Sequence, residues 1–201
     1  GDYHFKPVLE DVEALNQMAK DERLDVTKLS FAALGHLHEK YALIGSGAAL
    51  GRGCGPLVVA RPGMDLDGLS TATIAVPGVW TTAHLLLGLY MGDQPKATAM
   101  TFDRIMPAVA QGDYDFGVII HEGRFTYNSH GLTLLLDLGQ WWEDGTGLPI
   151  PLGCIAVNRR LGKHGAESVE AIIRRSIRFG SENPHEARDY IKSHAQELDD
   201  E

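Results

Sequence analysis

His121 closes a short apolar run, Gly117-Val118-Ile119-Ile120, and the residues after it turn polar: Glu122-Gly123-Arg124-Phe125-Thr126-Tyr127. Val118, Ile119 and Ile120 are β-branched. A short unbroken run of this kind predicts a strand buried on both faces, as in a parallel sheet. His121 then falls where the strand leaves the core. Ligands of open α/β sheets bind outside the carboxyl ends of the strands, and an imidazole there can take or give a proton near neutral pH. The competing reading is a histidine that only pairs with its neighbour's carboxylate or caps a loop. Thr81-Thr82 follows a Pro77-Gly78 turn and opens a predicted helix, whose free N–H groups suit a carboxylate or phosphate. The plain alternative is an N-cap threonine. Lys28-Leu29-Ser30 also lies between a predicted strand and helix, where N-capping is the commoner role of Ser30.

Other candidate groups are weaker. Ser46 to Gly55 is glycine-rich, but it is neither a Walker loop nor a Gly-x-Gly-x-x-Gly fingerprint. It reads as a turned loop beside a cleft. His36 and His38 stand two apart on a predicted helix, so they cannot share an ion, and no metal site is read. Trp141-Trp142 fits packing better than a stacking platform. Cys54 and Cys154 are a hundred positions apart without companion ligands, and both are expected to be buried free thiols. No serine-nucleophile motif is present.

The 201 residues, 44% hydrophobic and 22% charged, are enough for one large domain or two small lobes. The formal net charge of −9 argues against nucleic acid or an anionic membrane as the main partner. The start, Gly1 to Pro7, lacks the form of a secretory signal, and the longest apolar run, Leu85 to Met91, is too short to span a bilayer. A cytoplasmic protein is expected. A chain opening on Gly rather than Met suggests a processed, tagged or truncated product. Nothing in the sequence points to an oligomeric state.

Around the candidate residues the pattern alternates strands and helices. Val8 to Val12 predicts a strand-to-helix entry, with Asp11 capping a helix to about Lys20 and Val12, Leu15 and Met18 inward. Strands are expected at Leu24–Ser30, Ala42–Ile44, Pro56–Arg61, Thr73–Val76 and Ile150–Val157, an extended segment at Ala97–Thr101, and an apolar stretch at Leu132–Leu138 leading into Gln140-Trp141-Trp142-Glu143. Helices are expected at Phe31–Tyr41, from Thr81-Thr82 to Met91, and at about Asp103–Gln111. In the tail, Ser168 is read as the cap of a helix with Val169, Ile172, Ile173, Ser176 and Ile177 on one face. Asn183-Pro184 is read as starting another, with Ala187, Tyr190 and Ile191 inward and Glu197 to Glu201 frayed. Pro56-Leu57-Val58-Val59-Ala60 and Pro151-Leu152-Gly153-Cys154-Ile155-Ala156 echo each other and bracket the middle block. They suggest two crossover strands forming a hinge, with a ligand cleft between lobes.

Pro7-Val8-Leu9-Glu10-Asp11-Val12-Glu13, Thr27-Lys28-Leu29-Ser30, Gly47-Ala48-Ala49-Leu50-Gly51-Arg52-Gly53, Val76-Pro77-Gly78 with Thr81-Thr82-Ala83, Ile119 to Tyr127, and Gly147 to Gly153 occur in this order. Together they resemble the dihydroxynaphthoate synthases of the futalosine route to menaquinone, over essentially the whole chain. The resemblance implies an α/β, two-lobed fold like type II periplasmic binding proteins, with lobe 1 from residues 1–60 and 158–201 and lobe 2 from 61–157. It implies a lyase acting on a small carboxylate, cyclic dehypoxanthinyl futalosine, to give 1,4-dihydroxy-6-naphthoate and a three-carbon fragment, dihydroxyacetone. His121 matches the family's general base. Lys28-Leu29-Ser30 and Thr81-Thr82-Ala83 match its substrate contacts. No metal or organic cofactor is expected. Two departures stand out. The opening Ser-Pro-Cys-Pro-Asn-Asp strand of the family is absent and the C-terminal helices stop early, so the expected fold is truncated at both ends. Trp80 replaces a polar residue and should reshape the pocket mouth. The alternatives are a solute-binding protein of the same fold and a chorismate dehydratase of the same pathway.

Overall fold

The run Leu57-Val58-Val59-Ala60 is apolar throughout because both of its faces are covered. In the computed structural model, which describes residues 3–186, 188 and 190, Val58 and Ala60 point into one core, and Leu57 and Val59 into another on the opposite face. This strand, β4 (Leu57–Ala60), belongs to a five-stranded sheet with β5 (Ile74–Val76), β6 (Ala97–Ala99), β7 (Phe116–Ile119) and β8 (Thr133–Asp137). The strand order is β6-β5-β7-β4-β8. β5 runs parallel to β6 and β7, whereas β4 runs antiparallel to β7 and β8. The run leading to His121 is therefore buried on both faces, as read from the sequence, but in a mixed sheet.

The other sheet, the first along the chain as the five-stranded one is the second, is antiparallel. β9 (Ile150–Asn158) pairs with β1 (Val26–Ser30), β2 (Tyr41–Leu43) and β3 (Ala49–Gly51). The helices are α1 (Val12–Lys20), α2 (Phe31–Leu37), α3 (Thr82–Met91), α4 (Phe102–Gln111), α5 (Gly123–Thr126), α6 (Leu138–Thr146) and α7 (Gly162–Glu182). Leu86 and Leu87 of α3 and Leu138 of α6 pack on one face of the second sheet, and Ile105 and Val109 of α4 on the other. The first sheet has its own core of Ala19, Leu29, Ala33, Leu37, Tyr41, Cys154 and Ala156.

Sheet membership divides the strands differently from the expected lobes. β4 sits in the second sheet, although residues 1–60 are expected in lobe 1, and β9 sits in the first sheet, although residues 61–157 are expected in lobe 2; the chain passes between the sheets from Gly51 to Leu57 and from Thr146 to Ile150. The echoing strands flank the crossovers without sharing a sheet. Gly55, in the first crossover, and Gly139, in the first turn of α6, approach so closely that a Cβ on Gly55 would lie 2.3 Å from the Gly139 Cα, a contact only glycine permits.

Other expectations are corrected too. Val8 and Leu9 are exposed and outside any strand. The helix after Ser30 stops at Leu37, and Tyr41 opens β2. The glycine-rich loop contains β3. α7 begins at Gly162, so Ser168 lies inside it, and Val169 is its one fully buried residue. Tyr190 is exposed; Ala187, Ile191 and Glu197 to Glu201 lie outside the described residues. Cys154 is buried as expected, but Cys54 is exposed. Among the described residues, no helix is long and apolar enough to cross a membrane.

Candidate active site

β5 and β7 are adjacent and parallel, with Ala75 level with Gly117. Their carboxyl ends therefore open on the same edge of the sheet. From β5 the chain passes through Pro77 to Trp80 into α3; from β7 it passes through Ile120 to His121. Gly117 lets α4 lie close against β7, since a Cβ there would meet Ile105 Cγ2 at 2.6 Å.

His121 has φ +55°, in the left-handed region. For a residue with a Cβ this costs about 1–2 kcal/mol. The strained turn lifts the imidazole out of the sheet, where the residue is exposed. Phe102, the first residue of α4, meets the ring edge to face, with centroids 5.6 Å apart at 80°. Partial burial lowers the imidazole pKa below its ordinary value. The Glu122 carboxylate opposes that shift and the Lys28 ammonium adds to it. The ring is thus biased toward the neutral form, which can accept a proton. Lys28 belongs to the first sheet, so its influence on His121 crosses from one sheet to the other.

Of the segment Lys28-Leu29-Ser30, Lys28 is exposed, and its stem runs over Gly153, where a Cβ would lie 3.6 Å from Lys28 Cε. Leu29 is fully buried in the first core, so its side chain cannot meet a ligand. Ser30 occupies the N-cap position of α2 but makes no side-chain cap bond. Its hydroxyl accepts from Asn16 Nδ2 at 3.3 Å, and its N–H donates to Asn16 Oδ1 at 3.1 Å.

Both threonine hydroxyls are committed to the fold. Thr81 is the N-cap of α3: its Oγ1 accepts from the His84 N–H at 3.3 Å and donates to the Gly78 carbonyl at 2.6 Å. Thr82 Oγ1 donates to the carbonyls of Pro151, at 2.8 Å, and Leu152, at 3.2 Å, so α3 is fastened to β9 of the other sheet. The N–H groups of Thr82 and Ala83, in the first turn of α3, have no intrahelical partner. They, rather than the hydroxyls, are the donors that this turn has left to offer an anion.

Arg124, three residues past His121, donates to the carbonyls of Gly53 and Gly55 and pairs with Asp137 at 3.0 Å. It ties the histidine turn to the first crossover. His36 packs against the Trp80 ring, with centroids 5.2 Å apart, while His38 Nδ1 lies 2.9 Å from the Gly35 carbonyl oxygen. No group of three metal-ligating side chains occurs among the described residues. Trp142 packs against the second-sheet core and donates to the Pro149 carbonyl. An open groove of about 620 Å³ is lined by His36, Trp80, Thr81, His84 and Leu85, but His121 and Lys28 are not part of its lining. Phe102, Asn16 and Arg124 escaped the sequence reading. Phe102 follows the carboxyl end of β6 and was open to the strand-end rule; Asn16 is a polar residue on the inward face of an amphipathic helix, itself a signal.

Comparisons with known proteins bear on the family and the fold. The menaquinone biosynthesis family model matches residues 2–201. A protein of Thermus thermophilus named 1,4-dihydroxy-6-naphtoate synthase is 51% identical over 199 residues, covering 98% of this chain and 71% of the relative. A protein of the same name from Streptomyces coelicolor is 44% identical over 194 residues, 94% of this chain and 68% of the relative. A solved protein of Archaeoglobus fulgidus superposes with a TM-score of 0.83 at 43% identity, covering 96% of this chain and 71% of that one. The alkanesulfonate-binding protein of Xanthomonas axonopodis pv. citri, solved with MOPS, reaches 0.65 at 14% identity, covering 92% of this chain and 65% of that one. That likeness establishes the two-lobed periplasmic-binding-protein-like fold and nothing about ligand. With the family model spanning nearly every residue and two relatives above 40% identity, the chain belongs to the menaquinone biosynthesis family.

Proposed function

We propose that the chain is a 1,4-dihydroxy-6-naphthoate synthase, a cytoplasmic lyase that opens cyclic dehypoxanthinyl futalosine and releases a three-carbon fragment. The relatives' name supports the activity. The observation that carries the catalytic reading is His121, held in a left-handed turn at the carboxyl end of β7 with its imidazole biased toward neutrality. We take residues 3–51 with 150–186 as one lobe and 57–146 as the other, with the substrate between them.

Carbon–carbon cleavage needs a proton removed from a hydroxyl or carbon and a place for the developing negative charge. Neutral His121 takes the proton. The N–H groups of Thr82 and Ala83, with the Lys28 ammonium, hold the substrate's carboxylate and fix it for deprotonation. Ser30 contributes a hydroxyl from the opposite lobe. Formation of an aromatic product supplies much of the driving force, so the protein chiefly positions and deprotonates.

The test is mass spectrometry of the products after incubation with cyclic dehypoxanthinyl futalosine. The wild-type chain should yield the naphthoate and the three-carbon fragment. His121→Ala should abolish turnover while substrate still binds. Retained turnover in that variant would remove His121 from the mechanism; tight binding without product in the wild type would favour a solute-binding protein, and turnover of chorismate the sister dehydratase.

A further inference from the structure

Asn16 is fully buried in the middle of α1. A buried amide persists where its donors and acceptor are all engaged. Its Oδ1 accepts from the Ser30 N–H at 3.1 Å, which settles which end of the amide is oxygen. Its Nδ2 faces three acceptors: Glu13 Oε2 at 3.2 Å, Ser30 Oγ at 3.3 Å and the Trp80 carbonyl at 3.4 Å. Two N–H bonds serve all three. Ser30 ends β1 in the first sheet. Trp80 lies in the turn from β5 to α3, which belongs to the second sheet and aims the Thr82 and Ala83 N–H groups.

The same helix grips that turn at two more levels. Gly78 is buried against α1, and a Cβ there would lie 2.4 Å from Glu13 Oε2. Glu13 is held in place by Gln17 Nε2, which donates to its Oε1 at 2.9 Å. One helical turn further on, Lys20 Nζ sits 5.4 Å from the Trp80 ring centroid. Residues 13, 16 and 20 share one helix face, and that face is laid along the turn.

We propose that Asn16 is a positioning residue that sets Ser30 and the β5–α3 turn in register across the cleft. The role rests on the function proposed above. By donating to Ser30 Oγ, the amide occupies a lone pair and turns the hydroxyl proton away from itself, toward a bound carboxylate. By donating to the Trp80 carbonyl, it holds the α3 N-terminus at a fixed distance from that hydroxyl.

Two variants test this. Asn16→Ser is too short to span from Ser30 to Trp80. Asn16→Asp keeps the acceptor for the Ser30 N–H and loses both donors; it replaces the first variant if that one does not fold. Steady-state kinetics with cyclic dehypoxanthinyl futalosine should show KM raised about tenfold, with kcat within about threefold, because His121 is untouched. Amide exchange at Thr81 to His84 should quicken about tenfold relative to the rest of α3. A merely structural amide would lower the melting temperature but leave the KM of the folded enzyme unchanged. Wild-type KM or wild-type exchange in a folded variant overturns the proposal. If the wild-type chain shows no turnover, the lyase reading fails by itself, and the exchange measurement alone decides the role of Asn16.

Discussion

His121 carries two features that act together: a strained backbone that projects its ring from the sheet edge, and surroundings that disfavour its charged form. Their consequence is a pH profile. Protonated imidazole cannot act as base, so kcat/KM should rise with pH along an acidic limb. Because the folded-state pKa is depressed, that limb should lie below 6.5. Lys28→Met removes a like charge that lowers the pKa, so the limb should move to higher pH. Glu122→Gln removes the opposing charge, so it should move lower. Rate measurements across pH check both directions, and an unshifted limb in both variants would separate these groups from the histidine. The same depression enters stability with a definite sign. As pH falls through the ordinary histidine range the unfolded chain binds the proton more readily than the folded one, so stability declines there. The two cysteines differ in the same physical terms. Burial pushes the Cys154 thiol up to about 11, whereas Cys54 is exposed. A thiol reagent should label one cysteine in the native protein and the second only on unfolding.

At the scale of the element, α3 is a strand–turn–helix unit whose hydroxyls serve the fold. Thr81→Ala removes the N-cap and should cost about 1 kcal/mol in unfolding free energy. Thr82→Val keeps the shape but strips the donor from the Pro151 and Leu152 carbonyls, and should cost about 1–2 kcal/mol. Thr82→Ser should recover most of that loss, because the hydroxyl rather than the methyl makes the contact. Denaturant titration measures all three. The close contact between α4 and β7 gives a steric counterpart. Gly117→Ala places a methyl 2.6 Å from Ile105 Cγ2 and should destabilise by about 1–3 kcal/mol.

At the scale of the molecule, the two sheets are joined by crossovers that side chains hold together. Arg124 bonds the carbonyls of Gly53 and Gly55 in the first crossover, and Glu143 accepts from the Gly53 N–H at 2.8 Å. Arg52 reaches the Gly147 carbonyl in the second at 3.0 Å. Arg124→Ala should lower stability by about 1–3 kcal/mol, since it leaves the half-buried Gly55 carbonyl and the Oδ2 of Asp137 without their arginine donor. Arg124→Lys should rescue little, because one ammonium cannot reproduce the planar fork. Thermal melts of the two variants would show whether the crossover depends on that geometry.

Local pattern sufficed for much of this protein. The apolar runs at Pro56–Arg61 and Gly117–Ile120 announce strands, the second covered on both faces, the Pro-Gly turn before Thr81 announces the start of α3, and the abrupt change after Ile120 places His121 at a strand end. Each is a short-range consequence of side-chain type and period. Sheet membership was not legible, because pairing is decided by partners far along the chain: β4 and β9 look alike in sequence, yet one joins β7 and β8 and the other joins β1 and β2. Nor could sequence say what the threonine hydroxyls bond, that Leu29 is core, or that Asn16 bridges Ser30 and Trp80. Those facts depend on which groups the packed sheets bring within hydrogen-bond reach, and a buried polar group takes its role from its partners, which only tertiary structure supplies.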